Sequence, residues 1–412
     1  SFRRDGSSVF GANNRWGNFY SLGATWNITE EAFMQSVDVL SLLKLRASYG
    51  ENGNANGFGF YSALPVYRYD INYLGLSASR LTNVGFEDLT WEKNKVFNVG
   101  LDFGLFNGRL NGTVELYDRK TSGLLFTVVP SPTAGVPNIL QNIGSVSNKG
   151  VEVMLSGKVI DTRDFSWELR FNFAHNKNRV TELYRDNPVV NGFQRIQVGY
   201  DVGTFYMREY AGVDPDNGRA MWWKDADHKE TTQNYSQAAL IMTGKSSSPK
   251  YYGGFGSTLK YMGVSLDFLF AYNFGNYVYS IWDRYQNTEG LYLGLFNQST
   301  SQLRSWKKPG DVTDVPKIEI GNSTNSWNHS TRYLYKGNYI RLRDLQVAYS
   351  IPRSVAQKLQ VANLSLFVRG SNLVTFATDD RLSADPEAGI DSQNNFDVFI
   401  PRTITGGIRI GL

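Results

Sequence analysis

The stretch "FNVGLDFGLFNGRLNGTVELY", residues 97–117, contains two alternating runs joined by a short turn. Its apolar members fall at odd positions before the turn and at even positions after it: Phe97, Val99, Leu101, Phe103, Leu110, Val114 and Leu116. A period of two predicts β-strands with one apolar and one polar face. In a water-soluble sheet the apolar face would cover a core, whereas in a membrane barrel it would face lipid and the polar face would line a lumen.

The composition favours β-structure. The 412 residues include 40 Gly, 25 Phe, 24 Tyr and 9 Trp, so strand-forming aromatics and turn-forming glycines dominate. No apolar run approaches the roughly 20 residues of a membrane helix, which excludes a helical membrane protein. A β-barrel remains possible on composition, because half of each barrel strand is polar.

Charge and reactive residues exclude several function classes. The formal net charge of +4 is small, and no run of Lys and Arg predicts nucleic-acid binding. The absence of cysteine excludes disulfide scaffolds and Cys-based sites. His175, His228 and His329 are too far apart to show ligand spacing, so neither a metal nor a cofactor is predicted. The "DPDNG" segment, residues 214–218, lacks the sixth-position Gly and twelfth-position Glu of a calcium loop and is interpreted as a turn.

The alternating pattern recurs along the chain, at residues 20–28, 151–159, 167–174, 264–274 and 404–412. Within residues 338–352 the apolar residues change from even positions, ending at Leu342, to odd positions, starting at Leu345. Such a change predicts a β-bulge near Arg343 and Asp344. A short helix is expected after Pro352.

Connection lengths alternate. The short connections are residues 105–110, 158–166 and 213–219, and the long ones are residues 51–89, 125–142, 184–202, 226–248, 279–334 and 378–400. Outer-membrane barrels have short periplasmic turns and long extracellular loops, so this pattern predicts about fourteen antiparallel strands with the last one ending in the periplasm. The chain begins at Ser1, abruptly and without a signal peptide, and is therefore expected to be the C-terminal portion of a longer exported protein.

Several segments resemble one family. They are "RRDGSSVFGANNRWGNFYSLGATWNITEEAF" (3–33), "LTWEKNKVFNVGLDFGLFNGRLNGTVELYDRKTSGLL" (89–125), "NIGSVSNKGVEVML" (142–155), "FNFAHNKNRVTEL" (171–183), "FYMREYAGVDPDNGRAMW" (205–222) and "NYIRLRDLQVAYSIP" (338–352). In this order they are similar to SusC/RagA-type TonB-linked outer-membrane proteins. The resemblance covers nearly the whole chain.

The resemblance implies an all-β fold, a transmembrane antiparallel β-barrel of about 22 strands around an N-terminal plug. Residues 1–412 would supply the C-terminal strands, without the plug and the TonB-box. The implied activity is import of oligosaccharides or peptides across the bacterial outer membrane, with energy delivered by TonB. The implied partner is a SusD-like surface lipoprotein that closes over the mouth, and a dimer of such pairs is left open.

Charged residues on the polar strand faces are predicted to face the lumen: Asp102, Glu115, Glu152, Glu168, Arg170, Asp267 and Arg409. A pair of carboxylates could suggest glycosidase chemistry, which requires a defined separation that the sequence does not provide. We expect instead that these carboxylates pair with Arg170 or Arg409, and that the protein is not an enzyme.

Aromatic residues in the long connections are candidate contacts. Rings that could stack on sugars or peptide side chains are Phe60, Tyr61, Tyr67, Tyr69, Trp222 and Trp223, although a membrane-interface girdle uses the same residue types. The 279–334 connection, taken as the longest, is expected to seat the lipoprotein through Trp306, Trp327, Tyr333 and Tyr335.

Two other functions remain open on the sequence. A passive porin would lack a plug, so the sequence preceding residue 1 would separate it from an importer. A soluble β-rich carbohydrate-binding protein would stay in solution without detergent.

Overall fold

The chain is mostly β-structure joined by irregular connections. The computed structural model describes residues 1–57, 59–128, 133, 135, 139–142, 144–319, 321, 325–387, 389 and 392–411. Its strands, in chain order, are β1 Phe2–Gly6, β2 Trp16–Asn27, β3 Leu40–Asn54, β4 Val66–Tyr73, β5 Leu76–Asn83, β6 Glu92–Leu105, β7 Leu110–Ser122, β8 Leu125–Val128, β9 Ile139–Asn142, β10 Gly144–Asp161, β11 Phe165–Leu183, β12 Val189–Asn191, β13 Gln194–Ile196, β14 Thr204–Arg208, β15 Tyr210–Val213, β16 Ala220–Trp223, β17 Thr231–Thr232, β18 Leu240–Ser246, β19 Tyr251–Tyr261, β20 Val264–Phe274, β21 Tyr277–Ser280, β22 Leu334–Lys336, β23 Tyr339–Ser350, β24 Asn363–Ala377, β25 Gln393–Asn394 and β26 Thr403–Gly411.

Helices are few and short. Those in the described residues are α1 Ile281–Gln286, α2 Arg353–Lys358, and 3₁₀ turns at Ile28–Glu30, Ala32–Met34, Tyr184–Asp186, Tyr235–Gln237, Thr300–Arg304 and Thr331–Tyr333. Helix α2 follows Pro352 directly, which confirms the helix predicted there. Within the described ranges, none of the helices combines the length and the apolarity needed to span a bilayer.

Twelve strands form one large sheet in the order β1-β2-β3-β6-β7-β10-β11-β19-β20-β23-β24-β26. Strand order follows chain order, and the described registers within this sheet are antiparallel. The alternating pattern therefore predicted the architecture correctly. The final residue of the last apolar stripe, Leu412, lies outside the described residues.

In the part of the chain that the structure describes, the large sheet contains twelve strands and not the expected fourteen or so. The alternation of connections implied a membrane strand on each side of the short 213–219 connection. Residues 204–223 instead contain β14, β15 and β16, which have only four or five residues each and pair in small separate sheets. A membrane strand needs about 9–11 residues. Residues 184–250 are consequently a single connection, slightly longer than residues 275–338, so the expectation that the 279–334 connection is the longest was wrong. Losing two strands together leaves the predicted directions of the remaining strands unchanged.

By its internal contacts the chain divides into two units. The first comprises Ser1–Leu155, His175–Pro188 and Gln197–Tyr200, and the second comprises Ser156–Ala174, Val189–Ile196 and Asp201–Leu412.

In both units the apolar face of the long strands is the exposed one. In the first unit Leu22 is 77% exposed, and in the second Ile404 is 75% exposed. The polar face is more enclosed: the Asp102 side chain in the first unit and the Asp344 side chain in the second are 19% and 20% exposed. A water-soluble sheet would show the opposite distribution, whereas a sheet that faces lipid shows this one.

The compact apolar clusters lie in or next to the connections. In the first unit the cluster contains Phe10, Phe19, Ala63, Leu89 and Trp91. Gly17 and Gly53 are required beneath it, because a Cβ atom at either position would overlap the Phe19 ring. In the second unit the corresponding cluster contains Phe205, Met207, Tyr279, Tyr333 and Leu334.

The predicted bulge is present in β23. Leu342 pairs with Phe270 and Asp344 with Leu269, so Arg343 is the additional residue relative to β20. The bulge keeps Leu342 and Leu345 on the apolar face, opposite Phe270 and Phe268 respectively, although three residues separate them along the chain.

Candidate functional site

A charged cluster lies on the polar face of the first unit. Arg46 of β3 binds Asp102 of β6 through Nε–Oδ2 at 2.8 Å and Nη2–Oδ1 at 3.0 Å, and its Nη2 lies 3.7 Å from Glu115 Oε2 of β7. Thr113 donates to Asp102 Oδ1 at 3.0 Å. Asp102 and Glu115 are therefore brought together as their strand pattern predicted.

Arg46 itself was missed by the sequence reasoning. It faces Gly100 across the β3–β6 pair, and a Cβ atom on Gly100 would lie 2.9 Å from its Nη2. Glycine opposite arginine leaves room for the guanidinium to lie along the strand. A strand register was needed to find this pair, and the sequence alone does not provide one.

A second charged row lies on the polar face of the second unit. Arg170 Nη2 lies 2.6 Å from Asp267 Oδ2, so the expected pairing of a lumen carboxylate with Arg170 is present. Arg369 binds Asp344 at 2.5 Å. Arg409 instead places its guanidinium over the Phe367 ring, 5.9 Å from the centroid.

Glu152 and Glu168 complete the predicted lumen set. Glu152 is exposed and Glu168 half-buried, and neither takes part in an ion pair within the described part of the chain. Their assignment to the lumen stays a prediction.

The bulge in β23 anchors the connection that follows β24. Arg341 is buried, donates to Thr375 at 2.9 Å and binds both Asp385 and Glu387. Arg343 binds Glu387 as well. Two arginines two positions apart thus fix the 378–402 connection to the sheet.

The aromatic candidates of the first unit are accessible. Phe60 is 88% exposed and Tyr69 73% exposed, and Tyr61 and Tyr67 are also more than half exposed. Tyr67 and Tyr69 belong to the β4–β5 hairpin, whose turn residues Leu74 and Gly75 both have positive φ. All four rings remain available for contact with a ligand or with the membrane interface.

Trp222 and Trp223 have different environments. Trp222 is fully buried, in edge contact with Tyr210 and Tyr235, and burial removes it from the candidate contacts. Trp223 is half-buried and stacks on His228 at 4.7 Å between centroids. Sequence adjacency on a strand places the two rings on opposite faces, so only Trp223 stays a candidate.

The four residues expected to contact a lipoprotein also differ in their exposure and contacts. Tyr333 and Tyr335 are 1% and 5% exposed, which removes them as surface contacts. Trp306 donates to the Pro215 carbonyl at 3.0 Å and packs against Gly218, within the turn formed by "DPDNG".

The turn itself is closed by its own side chains. Asp214 Oδ1 accepts from the Asp216 amide at 2.9 Å, in support of the turn interpretation. The fourth lipoprotein candidate, Trp327, is half-buried beneath Arg284, whose guanidinium carbon lies 5.0 Å from the ring centroid.

A buried ion pair organises the 275–338 connection. Glu289 is 1% exposed and binds the guanidinium of Arg332, which also donates to the Ser326 carbonyl at 3.1 Å and to the Tyr333 hydroxyl at 3.2 Å. Burial alone would lower the pKa of Arg332, but Glu289 raises it well above its usual value, so the arginine stays charged.

His329 lies at the centre of a second polar cluster in the same unit. Its Nδ1 lies 2.7 Å from the Tyr279 hydroxyl, Arg284 donates to its Nε2, and the Phe193 ring is 4.4 Å away between centroids. Burial, reinforced by Arg284, lowers the pKa of His329 to about 4. The ring is therefore neutral at neutral pH and accepts the Arg284 hydrogen bond.

A polar cavity of about 610 Å³ opens between the connections of the second unit. Hydroxyl and amide groups line it together with charged side chains, including Tyr210, Tyr277, Asp283, Asn287, Ser301 and Arg332. The sequence reasoning missed this cavity. Its residues come from three separate connections, residues 184–250, 275–338 and 378–402, and no local motif joins them.

Asp283 of α1 is the most unusual group in this cavity. It is 1% exposed, Ser383 donates to its Oδ1, and its Oδ2 is enclosed by the surrounding residues. Burial raises the pKa of the Asp283 carboxyl, and hydrogen bonding to Ser383 and Tyr335 partly offsets the rise.

The chain matches one family model, described as "TonB dependent receptor-like, beta-barrel", over residues 1–373. The chain belongs to this family. Membership confirms the predicted antiparallel β-barrel fold and places the protein in the bacterial outer membrane. It also agrees with the exposed apolar face of the long strands.

Known members show the same relationship. The chain is 31% identical to TonB-dependent receptor P39 of Formosa agariphila, over 94% of this chain and 41% of that protein. It is 32% identical to TonB-dependent receptor SusC of Bacteroides thetaiotaomicron, over 85% of this chain and 36% of that protein. A solved structure of the RagAB peptide transporter superposes with a TM-score of 0.87 at 31% identity, over 99% of this chain and 45% of that chain.

The SusC/RagA resemblance seen in the sequence is thus confirmed at the level of the family. The chain spans about 40% of the length of the relatives it matches. The cavity and the exposed aromatic rings lie in the connections between the long strands. That the charged polar faces line the barrel interior stays a prediction.

Proposed function

We propose that the protein works in active import of oligosaccharides or peptides across the outer membrane, with energy supplied through TonB. The observation that carries the proposal is the superposition on the RagAB peptide transporter over 99% of this chain. The enclosed charged faces and exposed apolar faces of the strands support a polar passage through lipid. The alternative function is a passive porin, and the experiment must distinguish passive diffusion from TonB-dependent import.

The test is uptake by cells that carry the full-length transporter, with and without functional TonB. Fluorescently labelled short peptides and oligosaccharides are supplied separately, so that the uptake rates show which class is transported. We expect uptake of one class to disappear without TonB. Uptake that persists in the TonB-deficient strain would show a passive pore instead.

The exposed rings of the first unit are proposed to contact cargo. Tyr69→Ser and Phe60→Ser change accessible rings whose loss leaves the sheet intact. If the rings stack on cargo, both variants raise the cargo concentration needed for half-maximal uptake. An unchanged concentration dependence would assign them to the membrane-interface girdle.

We further propose that a SusD-like lipoprotein binds the surface around Trp306. The neighbouring Lys307, Lys308 and Val312 are exposed, whereas Tyr333 and Tyr335 are buried. Lys307→Glu combined with Lys308→Glu and Val312→Asp alters this surface and leaves the buried residues in place. We expect reduced co-purification of the lipoprotein.

The matched control is Lys260→Glu, at the opposite end of the long strands. It should leave co-purification unchanged. Full recovery of the lipoprotein with the triple variant would place the contact surface elsewhere.

A further inference from the structure

The exposed apolar face of the first unit ends in basic residues. On β6, Phe97 is 49% exposed, and towards the start of the strand Lys95 and Lys93 occupy the same alternating positions. On β7, Lys120 pairs with Lys95 and therefore lies on the same face. The apolar surface thus stops at Phe97, and charged side chains follow it.

This face contains more lysines than carboxylates. Glu51 of β3 is buried and lies 3.4 Å from Lys93 Nζ and 3.7 Å from Lys95 Nζ. Asp118 of β7 pairs with Phe97 and is bound by Lys149 of β10 at 2.6 Å. Two carboxylates therefore serve four lysines. These four form the basic row: Lys93, Lys95, Lys120 and Lys149.

Lys120 is the least compensated member of the basic row. It lies directly opposite Lys95 across the β6–β7 pair, and like charges at such positions destabilise a sheet. Lys95 shares Glu51 with Lys93, and among the described residues no ion pair includes Lys120. An external anion placed between Lys95 and Lys120 would remove this repulsion.

Arg4 of β1 extends the basic row along the sheet. Phe2 pairs with Tyr20, so Arg4 lies on the same exposed face as Tyr20 and Leu22 of β2. Its guanidinium carbon lies 5.1 Å from the centroid of the exposed Trp16 ring, and in the described part of the chain Arg4 has no ion pair. Aromatic and basic side chains at the edge of an apolar band are typical of a membrane–water interface.

The basic row lies at the end of the strands where the long connections begin. Residues 55–91 join β3 to β6, and residues 123–143 join β7 to β10. At the other end, residues 106–109 join β6 to β7 in a short turn. Long connections are on the extracellular side of outer-membrane barrels, so the basic row is at the level of the outer-leaflet head groups.

We propose that the basic row binds the phosphate groups of lipopolysaccharide, the glycolipid of the outer leaflet, with Lys95 and Lys120 donating to one phosphate. An ammonium group is a compact charged donor that binds phosphate. The acyl chains of the same molecule then lie against the apolar residues that continue each strand, such as Phe97 and Leu116, both exposed. A lipid gains both contacts, whereas a soluble anion gains only the first. The binding is separate from cargo import.

The experiment measures lipid binding to the purified full-length transporter in a neutral detergent by native mass spectrometry. The probes are diphosphoryl lipid A, its dephosphorylated form and phosphatidylglycerol, with inorganic phosphate as a competitor. We expect diphosphoryl lipid A to bind about tenfold or more tightly than either of the other lipids. Inorganic phosphate at the same concentration should not displace it. This comparison uses the unmodified protein, so it remains decisive if variants fold poorly.

The test variant combines Lys95→Gln with Lys120→Gln. Glutamine removes the charge and keeps a polar side chain, so the affinity for diphosphoryl lipid A should fall about tenfold while that for the dephosphorylated form stays unchanged. The matched control combines Arg109→Gln with Arg119→Gln and also removes two charges. Arg109 lies in the short turn at the other end of β7, and Arg119 lies on the polar face of β7, so the control should keep the preference.

Equal binding of the two lipid A forms would overturn the proposal, as would a preference that survives in the test variant or is lost equally in the control. Equally tight binding of phosphatidylglycerol, or displacement by inorganic phosphate, would assign the basic row to anions in general and would overturn its assignment to lipopolysaccharide. None of these results affects the import function, because TonB-dependent uptake is measured independently.

Discussion

The 55–91 connection of the first unit and the 275–338 connection of the second have similar compositions and different structures. Both are rich in Tyr, Asn, Ser and Gly. In the first, Phe60, Tyr69 and Tyr73 are largely exposed. In the second, Tyr279 and Tyr333 are buried. Aromatic content by itself therefore does not distinguish a contact surface from a core.

Charged groups explain the difference. The 275–338 connection contains the buried Glu289–Arg332 pair, which gives the Tyr333 hydroxyl a partner inside the fold. The charged pair of the 55–91 connection, Arg68 and Asp70, is more than half exposed and leaves nearby rings in solvent. A tyrosine can be buried at low cost only where its hydroxyl finds a donor or an acceptor.

The largest effect should follow from breaking the buried pair. Glu289→Leu leaves Arg332 buried without its anion, which costs about 3–5 kcal/mol of local stability. We expect the 275–338 connection to become sensitive to limited proteolysis while the 55–91 connection keeps its original cleavage rate. Lys229→Gln, which removes an exposed pair with Asp227, is the control. Unchanged proteolysis of Glu289→Leu would show that the pair does not organise this connection.

A smaller loss should follow from crowding Trp306. Gly218→Ala and Gly244→Ala both place a side chain on a backbone with φ near +70°, which costs about 1–2 kcal/mol. Only the Cβ atom at residue 218 also overlaps the Trp306 ring, and such overpacking adds roughly 1–3 kcal/mol. Denaturant unfolding followed by tryptophan fluorescence should show the larger loss for Gly218→Ala. Equal losses would mean that the Trp306 contact is not tight.

The two connections should also differ in their response to acid. Because the pKa of His329 falls from 6.5 to about 4 on folding, the unfolded connection binds more protons between these values. The stability from neutral His329 is present above pH 6.5 and is lost as the pH falls towards 4. The protection factors of amides in the 275–338 connection, which are exchange rates corrected for the intrinsic pH dependence, should fall over this window.

The 55–91 connection contains no histidine, so its protection factors should not fall in the same way. His329→Gln, which keeps an acceptor for Arg284 but does not titrate in this range, should flatten the pH dependence. A profile that is the same in the variant would assign the acid sensitivity to another group.

The smallest effect is expected for the exposed rings of the 55–91 connection. Tyr69→Ser and Phe60→Ser should each change the unfolding free energy by less than about 0.5 kcal/mol, because neither ring has a packed environment to lose. Denaturant titration measures this directly. A loss above about 1 kcal/mol would show that the rings are packed in the membrane.

The local sequence pattern was sufficient to predict the long strands but not the structure of the connections. The period of two in residues 97–117 placed Asp102 and Glu115 on one face, and the parity change at residues 342–345 located the bulge. Both features depend on neighbouring residues only. The burial of Trp222 and Tyr333 and the cavity around Asp283 depend on contacts between distant segments. The same dependence explains why two membrane strands were counted around the 213–219 connection, since that count came from the alternation of connection lengths and not from contacts.

The bulge in β23 has a consequence for how this strand can vary in length among relatives. Removing Arg343 would join Leu342 to Asp344, whose partners Phe270 and Leu269 are already adjacent on β20, so every other side chain would keep its face. Removing Gln346 instead would turn the residues on one side of the gap from lipid to lumen. One-residue gaps in alignments of β23 should therefore collect at position 343, and relatives that lack this residue should hold their 378–402 connection through Arg341 alone.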